Sequence, residues 1–169
     1  SSIPEVNWPR PRNEVDAKAF LDKASQVNSQ YKLVQEIDAS LLTEFAKQCR
    51  GYLAPMCATI GGLVAQEVLK ACSAKFGPIK QHFCFDSLES LPVDLSPVEA
   101  DFAPQQSRYD AQIAVFGRAF QARLEAARGF IVGSGAIGCE MVKLFALMGV
   151  SGAEQGLLTL TDMDNIENE

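Results

Sequence analysis

Phe130-Ile131-Val132-Gly133-Ser134-Gly135-Ala136-Ile137-Gly138-Cys139-Glu140-Met141 starts as an apolar run, breaks at glycine and resumes at helical spacing. Downstream, the apolar run Leu157–Thr161 closes on two acids, Asp162 and Asp164. This order predicts a strand, a glycine turn, a helix and a second strand ending in carboxylates, the layout by which a doubly wound α/β sheet holds a nucleotide. Each glycine has an expected task. Gly133 permits the tight turn out of the strand, Gly135 lets backbone N–H groups approach a phosphate, and Gly138 lets the helix pack closely on the sheet. The helix N-terminus then holds the phosphate, with Ser134, Ala136 and Ile137 supplying the intervening backbone.

The helix is supported without the glycines, because Ile137, Met141, Leu144, Phe145 and Met148 fall on one apolar face. Gly149 is the expected stop. A G-x-G-x-x-G alone is common by chance and can mark a plain glycine-rich turn. Here strand, helix and terminal acids all stand where a nucleotide site requires them.

Composition narrows the classes. The chain has 169 residues, 47% of them hydrophobic, which is enough for a globular core and too apolar for disorder. A net charge of −6, with no basic run, argues against a nucleic-acid surface. The cysteines Cys49, Cys57, Cys72, Cys84 and Cys139 form no C-x-x-C pair, and His82 is the sole histidine. Buried, reduced thiols are therefore expected rather than disulfides or zinc, and no metal site is assigned to this chain. No basic segment leads into an apolar one at the N-terminus, and the apolar run 53–65 is too short to span a bilayer. These features predict a soluble intracellular protein.

Along the chain, residues 13–28 carry Ala17, Phe20, Leu21, Ala24 and Val27 at helical spacing, with Asn13 as N-cap and Asp16 in the first turn. A second amphipathic helix is expected after Asp38, with Leu41, Leu42, Phe45 and Cys49 on one face and Gly51 beyond its end. Residues 54–72 are apolar nearly all round until Gln66. They predict a helix buried on most sides, with Pro55 in its first turn and Gly61-Gly62 marking a close approach or a kink. Residues 81–86 read as a short aromatic strand on which His82 is structural. Residues 92–106, with three prolines and three acids, read as a connector. Residues 107–117 read as a polar head leading into a short apolar element, followed by a helix through about Leu124. Two strands are fewer than a nucleotide-binding sheet needs, so the sequence reads as a piece of a larger protein with a partial doubly wound fold preceded by amphipathic helices.

Longer motifs make the reading specific. Arg108-Tyr109-Asp110 with Gln112 and Gly117, then 132–140, then Thr161-Asp162-Met163-Asp164-Asn165-Ile166-Glu167, resemble the opening of the active adenylation domain of ubiquitin-activating enzymes. Residues 61–72 with Lys75-Phe76, and residues 85–92, are similar to the closing part of the same family's inactive adenylation domain. Pro9-Arg10-Pro11-Arg12-Asn13-Glu14 is similar to the end of the helical bundle inserted before it. The resemblance divides the chain at 1–50 (bundle), 51–93 (inactive domain), 94–106 (linker) and 107–169 (active domain). It implies a Rossmann-like adenylation fold.

The resemblance also implies a reaction: Mg-ATP adenylates the C-terminal carboxylate of ubiquitin, which then passes to a catalytic cysteine as a thioester. It assigns ATP binding to Gly133, Ser134, Gly135, Ala136, Ile137, Gly138, Asp162 and Asp164, with Asp164 on the ribose hydroxyls and Asp162 beside it. A carboxylate at a strand's end suits that task. The family's arginine, lysine, magnesium-binding aspartate and catalytic cysteine belong beyond Glu169, so these residues alone are expected to be inactive. Cys139 is expected to pack, and Glu169 stands where the family has serine. Ubiquitin and ubiquitin-conjugating enzymes are the implied partners, without nucleic acid or membrane, in cytoplasm and nucleus. An NAD-dependent dehydrogenase would use the same glycine turn, but has no reason to carry 108–117 or the upstream helix. A non-catalytic scaffold half is a further alternative. An activating enzyme for another ubiquitin-like modifier is the last, although the matches at 9–14 and 70–75 favour ubiquitin itself.

Overall fold

A computed structural model describes residues 8–164. Asn165, Ile166 and Glu167 of the acidic motif, and Glu169, lie outside the described residues. In chain order the elements are α1 (Glu14–Tyr31), α2 (Ala39–Gln48), α3 (Ala54–Ser73), α4 (Asp110–Phe116), α5 (Arg118–Glu125), β1 (Arg128–Val132), α6 (Ala136–Met148) and β2 (Leu157–Thr161), with short 3₁₀ turns at Leu88–Ser90 and Glu99–Phe102. They fall into two units: Ser1–Gly51 with Leu95–Arg123, and Tyr52–Asp94 with Leu124–Glu169.

The first unit is helical. Asn13 caps α1 as its sequence position predicts, accepting the Asp16 N–H at 2.8 Å through Oδ1. Asp16 in turn accepts the Arg10 guanidinium at 2.8 and 3.0 Å, and this arginine holds its carboxyl down at a pKa of about 2. Asp38 caps α2 by accepting the Leu41 N–H at 2.9 Å. Phe20 and Phe45 join the two helices, their ring centroids 5.8 Å apart.

Of the segment 92–106, expected as a connector, residues up to Asp94 group with the second unit and those from Leu95 with this one, where one side chain enters the core. Its 3₁₀ turn buries Phe102, which is 1% exposed, in a unit that also buries Ala17, Ala46, Ile113 and Val115. The Arg12 guanidinium lies 5.5 Å over the Phe102 ring, and Asn13 Nδ2 donates to both Glu99 carboxylate oxygens at 2.8 and 2.9 Å. Prolines fit this path because a 3₁₀ turn and its extended flanks need few backbone donors. The short apolar element expected within 107–117 lies in the helix α4, ended by Gly117 at φ +79° beneath the Phe102 ring.

The second unit carries the expected α/β core. β1 and β2 pair in parallel, from Arg128↔Leu157 to Val132↔Thr161, with α6 as the crossover between them. The loop after α6 is tied back by Ser151, whose N–H donates to the Leu124 carbonyl at 2.9 Å and whose hydroxyl donates to that of Ala127 at 2.8 Å.

Three expectations are corrected here. Residues 81–86 form no strand, and Phe83 and Phe85 are exposed. Aromatic content favours a pleated surface, but a strand exists only where a partner completes its ladder. α3 is helical as predicted, yet none of its residues is buried, and a Cβ on Gly61 or Gly62 would meet nothing within 4 Å. Apolarity all round records a preference for burial, whereas the described neighbours cover too little of this helix to satisfy it. The cysteines are free, but Cys72, Cys84 and Cys139 are exposed and Cys49 and Cys57 only half-buried. Among the described residues no helix is long and apolar enough to cross a membrane.

Candidate functional site

The glycine turn between β1 and α6 separates the three glycines by what each needs. Gly133 stands at φ +101°, a conformation that side chains with a Cβ rarely adopt. Its N–H donates to the Thr161 carbonyl at 2.8 Å, so the ladder with β2 runs one residue into the turn. Gly138 is buried, and a Cβ there would lie 2.0 Å from the Gly133 carbonyl oxygen. The close approach expected of Gly138 is therefore to the turn itself rather than to the face of the sheet.

Gly135 differs from both. Its φ of −65° and ψ of −163° are open to any residue, and a Cβ would meet nothing within 4 Å. Nothing in the fold requires glycine here; the space beside it is open. Gly135 is the N-cap of α6 and has no side-chain capping bond. The first-turn N–H groups of a helix, here Ala136, Ile137 and Gly138, have no intrahelical partner and carry the positive end of the helix dipole. That combination of free space, amide donors and dipole suits an anion.

The acids sit at the end of β2, beside the turn. Asp162 Oδ2 accepts both the backbone N–H and the hydroxyl of Ser134, the latter at 3.0 Å, and Oδ1 accepts the Asp164 N–H at 2.8 Å. The Ser134 N–H, followed by that of Asp164, holds the Asp162 carboxyl below the usual carboxylate range. Asp164 is exposed, and its backbone N–H is held by Asp162. All eight sequence-predicted residues, Gly133 to Gly138, Asp162 and Asp164, thus belong to one turn and the strand end bonded to it. Asp162 is engaged inside that assembly.

Cys139 does not pack as expected: it is exposed, and its thiol donates to the Ser134 carbonyl at 2.9 Å. The bracing role of Ser151 escaped the sequence reading; its signal is the Gly149-Val150-Ser151-Gly152 turn, where Ser151 adopts φ +60°. Among the described residues no group of three or more His, Cys, Asp or Glu could hold a metal ion. A separate apolar cavity of about 390 Å³, lined by Phe20, Val27, Leu33 and Leu42 in the first unit, lacks the amide donors and acids of the turn.

Residues 109–169 match the model of the ThiF family. Over 163 residues the chain is 49% identical to ubiquitin-activating enzyme E1 1 of Schizosaccharomyces pombe, covering 96% of this chain and 16% of that protein. It is 52% identical to ubiquitin-activating enzyme E1 1 of Arabidopsis thaliana over 163 residues, 95% of this chain and 15% of the relative. It is 48% identical to ubiquitin-like modifier-activating enzyme 1 of Mus musculus over 163 residues, 94% of this chain and 15% of the relative. The chain spans about one sixth of the length of these curated relatives.

Proposed function

We propose, for a chain whose residues 109–169 are of the ThiF family and which is similar to ubiquitin-activating enzymes almost throughout, that it is the part of such an enzyme that holds ATP. The first-turn N–H groups of α6 seat the phosphates, and Asp164 accepts the ribose hydroxyls. The whole enzyme then adenylates ubiquitin: an oxygen of its C-terminal carboxylate attacks the α-phosphorus, and pyrophosphate leaves. A cysteine thiolate next attacks the acyl carbon and AMP leaves, giving the thioester that ubiquitin-conjugating enzymes receive. On the same likeness, residues 51–93 close the inactive adenylation domain, 107–169 open the active one, and the proposed location is cytoplasm and nucleus.

Gly135 carries this reading. Gly133 and Gly138 are accounted for by φ and by packing, whereas Gly135 fronts open space next to the helix N-terminus, where a side chain would fill the place of a ligand. Within the fragment, ATP receives ground-state binding and orientation. No step is assigned to magnesium, for which the described residues contain no three-ligand cluster. An NAD-dependent dehydrogenase shares the turn chemistry, but identity near one half across 96% of the chain lies with ubiquitin-activating enzymes.

The ribose assignment has a direct test in the full-length enzyme. Asp164→Ala should weaken ATP more than 2′,3′-dideoxy-ATP, because the lost groups are two charge-assisted hydrogen bonds of about 1.5 to 3 kcal/mol each. Affinity for ATP is expected to fall by at least tenfold, or about 1.4 kcal/mol, in equilibrium titrations. Equal losses for the two nucleotides would remove Asp164 from the ribose.

A further inference from the structure

We propose that Asp162 is a positioning residue of this site: its carboxylate contacts no nucleotide group and instead holds Ser134, and with it the glycine turn, in the conformation that receives phosphate. This rests on the phosphate-loop reading above and changes the role expected for one of its acids.

Three hydrogen bonds support it. Asp162 Oδ2 accepts the Ser134 N–H and the Ser134 hydroxyl, and Oδ1 accepts the Asp164 N–H. A carboxylate offers about four lone-pair sites, so three of them are committed to this chain. The bonds reach from the end of β2 across 28 residues to the turn after β1, beside the backbone bond from Gly133 to Thr161. Two consequences follow for a ligand. The Ser134 N–H is withdrawn from phosphate, which leaves Ala136, Ile137 and Gly138 as donors. The negative charge of Asp162 is turned onto the N–H and hydroxyl of Ser134 and the N–H of Asp164, where it orders the loop; a free carboxylate in that place would repel a phosphate chain. Asp164, by contrast, contributes only its N–H to this network and keeps its carboxylate for a ligand.

The test is a coupling measurement in the full-length enzyme, with dissociation constants for ATP and 2′,3′-dideoxy-ATP. Asp162→Ala is expected to weaken both nucleotides by about tenfold or more, because both depend on the same turn. Adding Ser134→Ala to Asp162→Ala should cost nothing further, since the hydroxyl acts through the carboxylate. Asp162→Asn keeps an acceptor for the Ser134 N–H and should lose less than Asp162→Ala; it also serves if the alanine variant fails to fold. Dideoxy-ATP binding that survives Asp162→Ala intact would make Asp162 a ribose ligand and overturn the proposal. So would a Ser134→Ala loss that multiplies in full on top of Asp162→Ala. Gly135→Val separates the two levels: wild-type ATP affinity in that variant sinks the phosphate-loop reading itself, whereas its failure to bind, with independent Asp162 and Ser134 losses, sinks only the positioning role.

Discussion

At the scale of single residues, glycine spacing and glycine function are different information. Gly138 fits no Cβ, because the Gly133 carbonyl would lie 2.0 Å from it. Gly138→Ala must therefore move either the turn or the first turn of α6. A loss of about 1 to 3 kcal/mol is expected in chemical denaturation, the usual cost of overpacking. An unchanged denaturation midpoint would show that the turn relaxes freely. The positions of all three glycines, and of both acids, were legible in the sequence as spacing. Their division of labour was not, because φ and the distance between Gly138 and the Gly133 carbonyl belong to coordinates. The same holds for Asp162. Two acids at a strand end look alike in sequence, and only the bonds to Ser134 distinguish Asp162 from Asp164.

At the scale of elements, local chemistry was read more reliably than tertiary surroundings. The caps of α1 and α2 rest on Asn13 and Asp38, whose side chains bond within their own turn. Such bonds need nothing distant, and the sequence shows them. The missing strand at 81–86 and the exposed faces of α3 depend instead on partners that no local pattern specifies. The 3₁₀ turn Glu99–Phe102 is the converse case: a stretch with little periodicity places one aromatic ring in the core. Phe102→Ala should cost about 3 to 5 kcal/mol by leaving a cavity below Arg12 and beside Gly117. Limited proteolysis within residues 92–106 should accelerate with it. Cleavage at the wild-type rate would return this segment to the status of a connector.

At the scale of the whole molecule, sequence order and spatial grouping part company. Residues 95–123 join the unit of Ser1–Gly51, and residues from Leu124 join that of Tyr52–Asp94. Composition marks where prolines and acids collect, but it is buried side chains such as Phe102, Ile113 and Val115 that decide which unit a segment enters. Within the second unit, the turn, the α6 N-terminus and the two acids form one assembly in which Gly133 is accounted for by backbone conformation, Gly138 by packing and Asp162 by bonding, whereas Gly135 is required by none of these. The central claim is that ATP occupies the space this glycine leaves. Isothermal titration of ATP into the full-length enzyme carrying Gly135→Val tests it most directly, with thermal unfolding followed in parallel. The backbone angles and the open surroundings allow valine, so unfolding should stay near wild type while ATP affinity falls by at least a hundredfold, about 2.7 kcal/mol. Wild-type ATP affinity in the folded variant would contradict the claim and remove the glycine turn from the nucleotide.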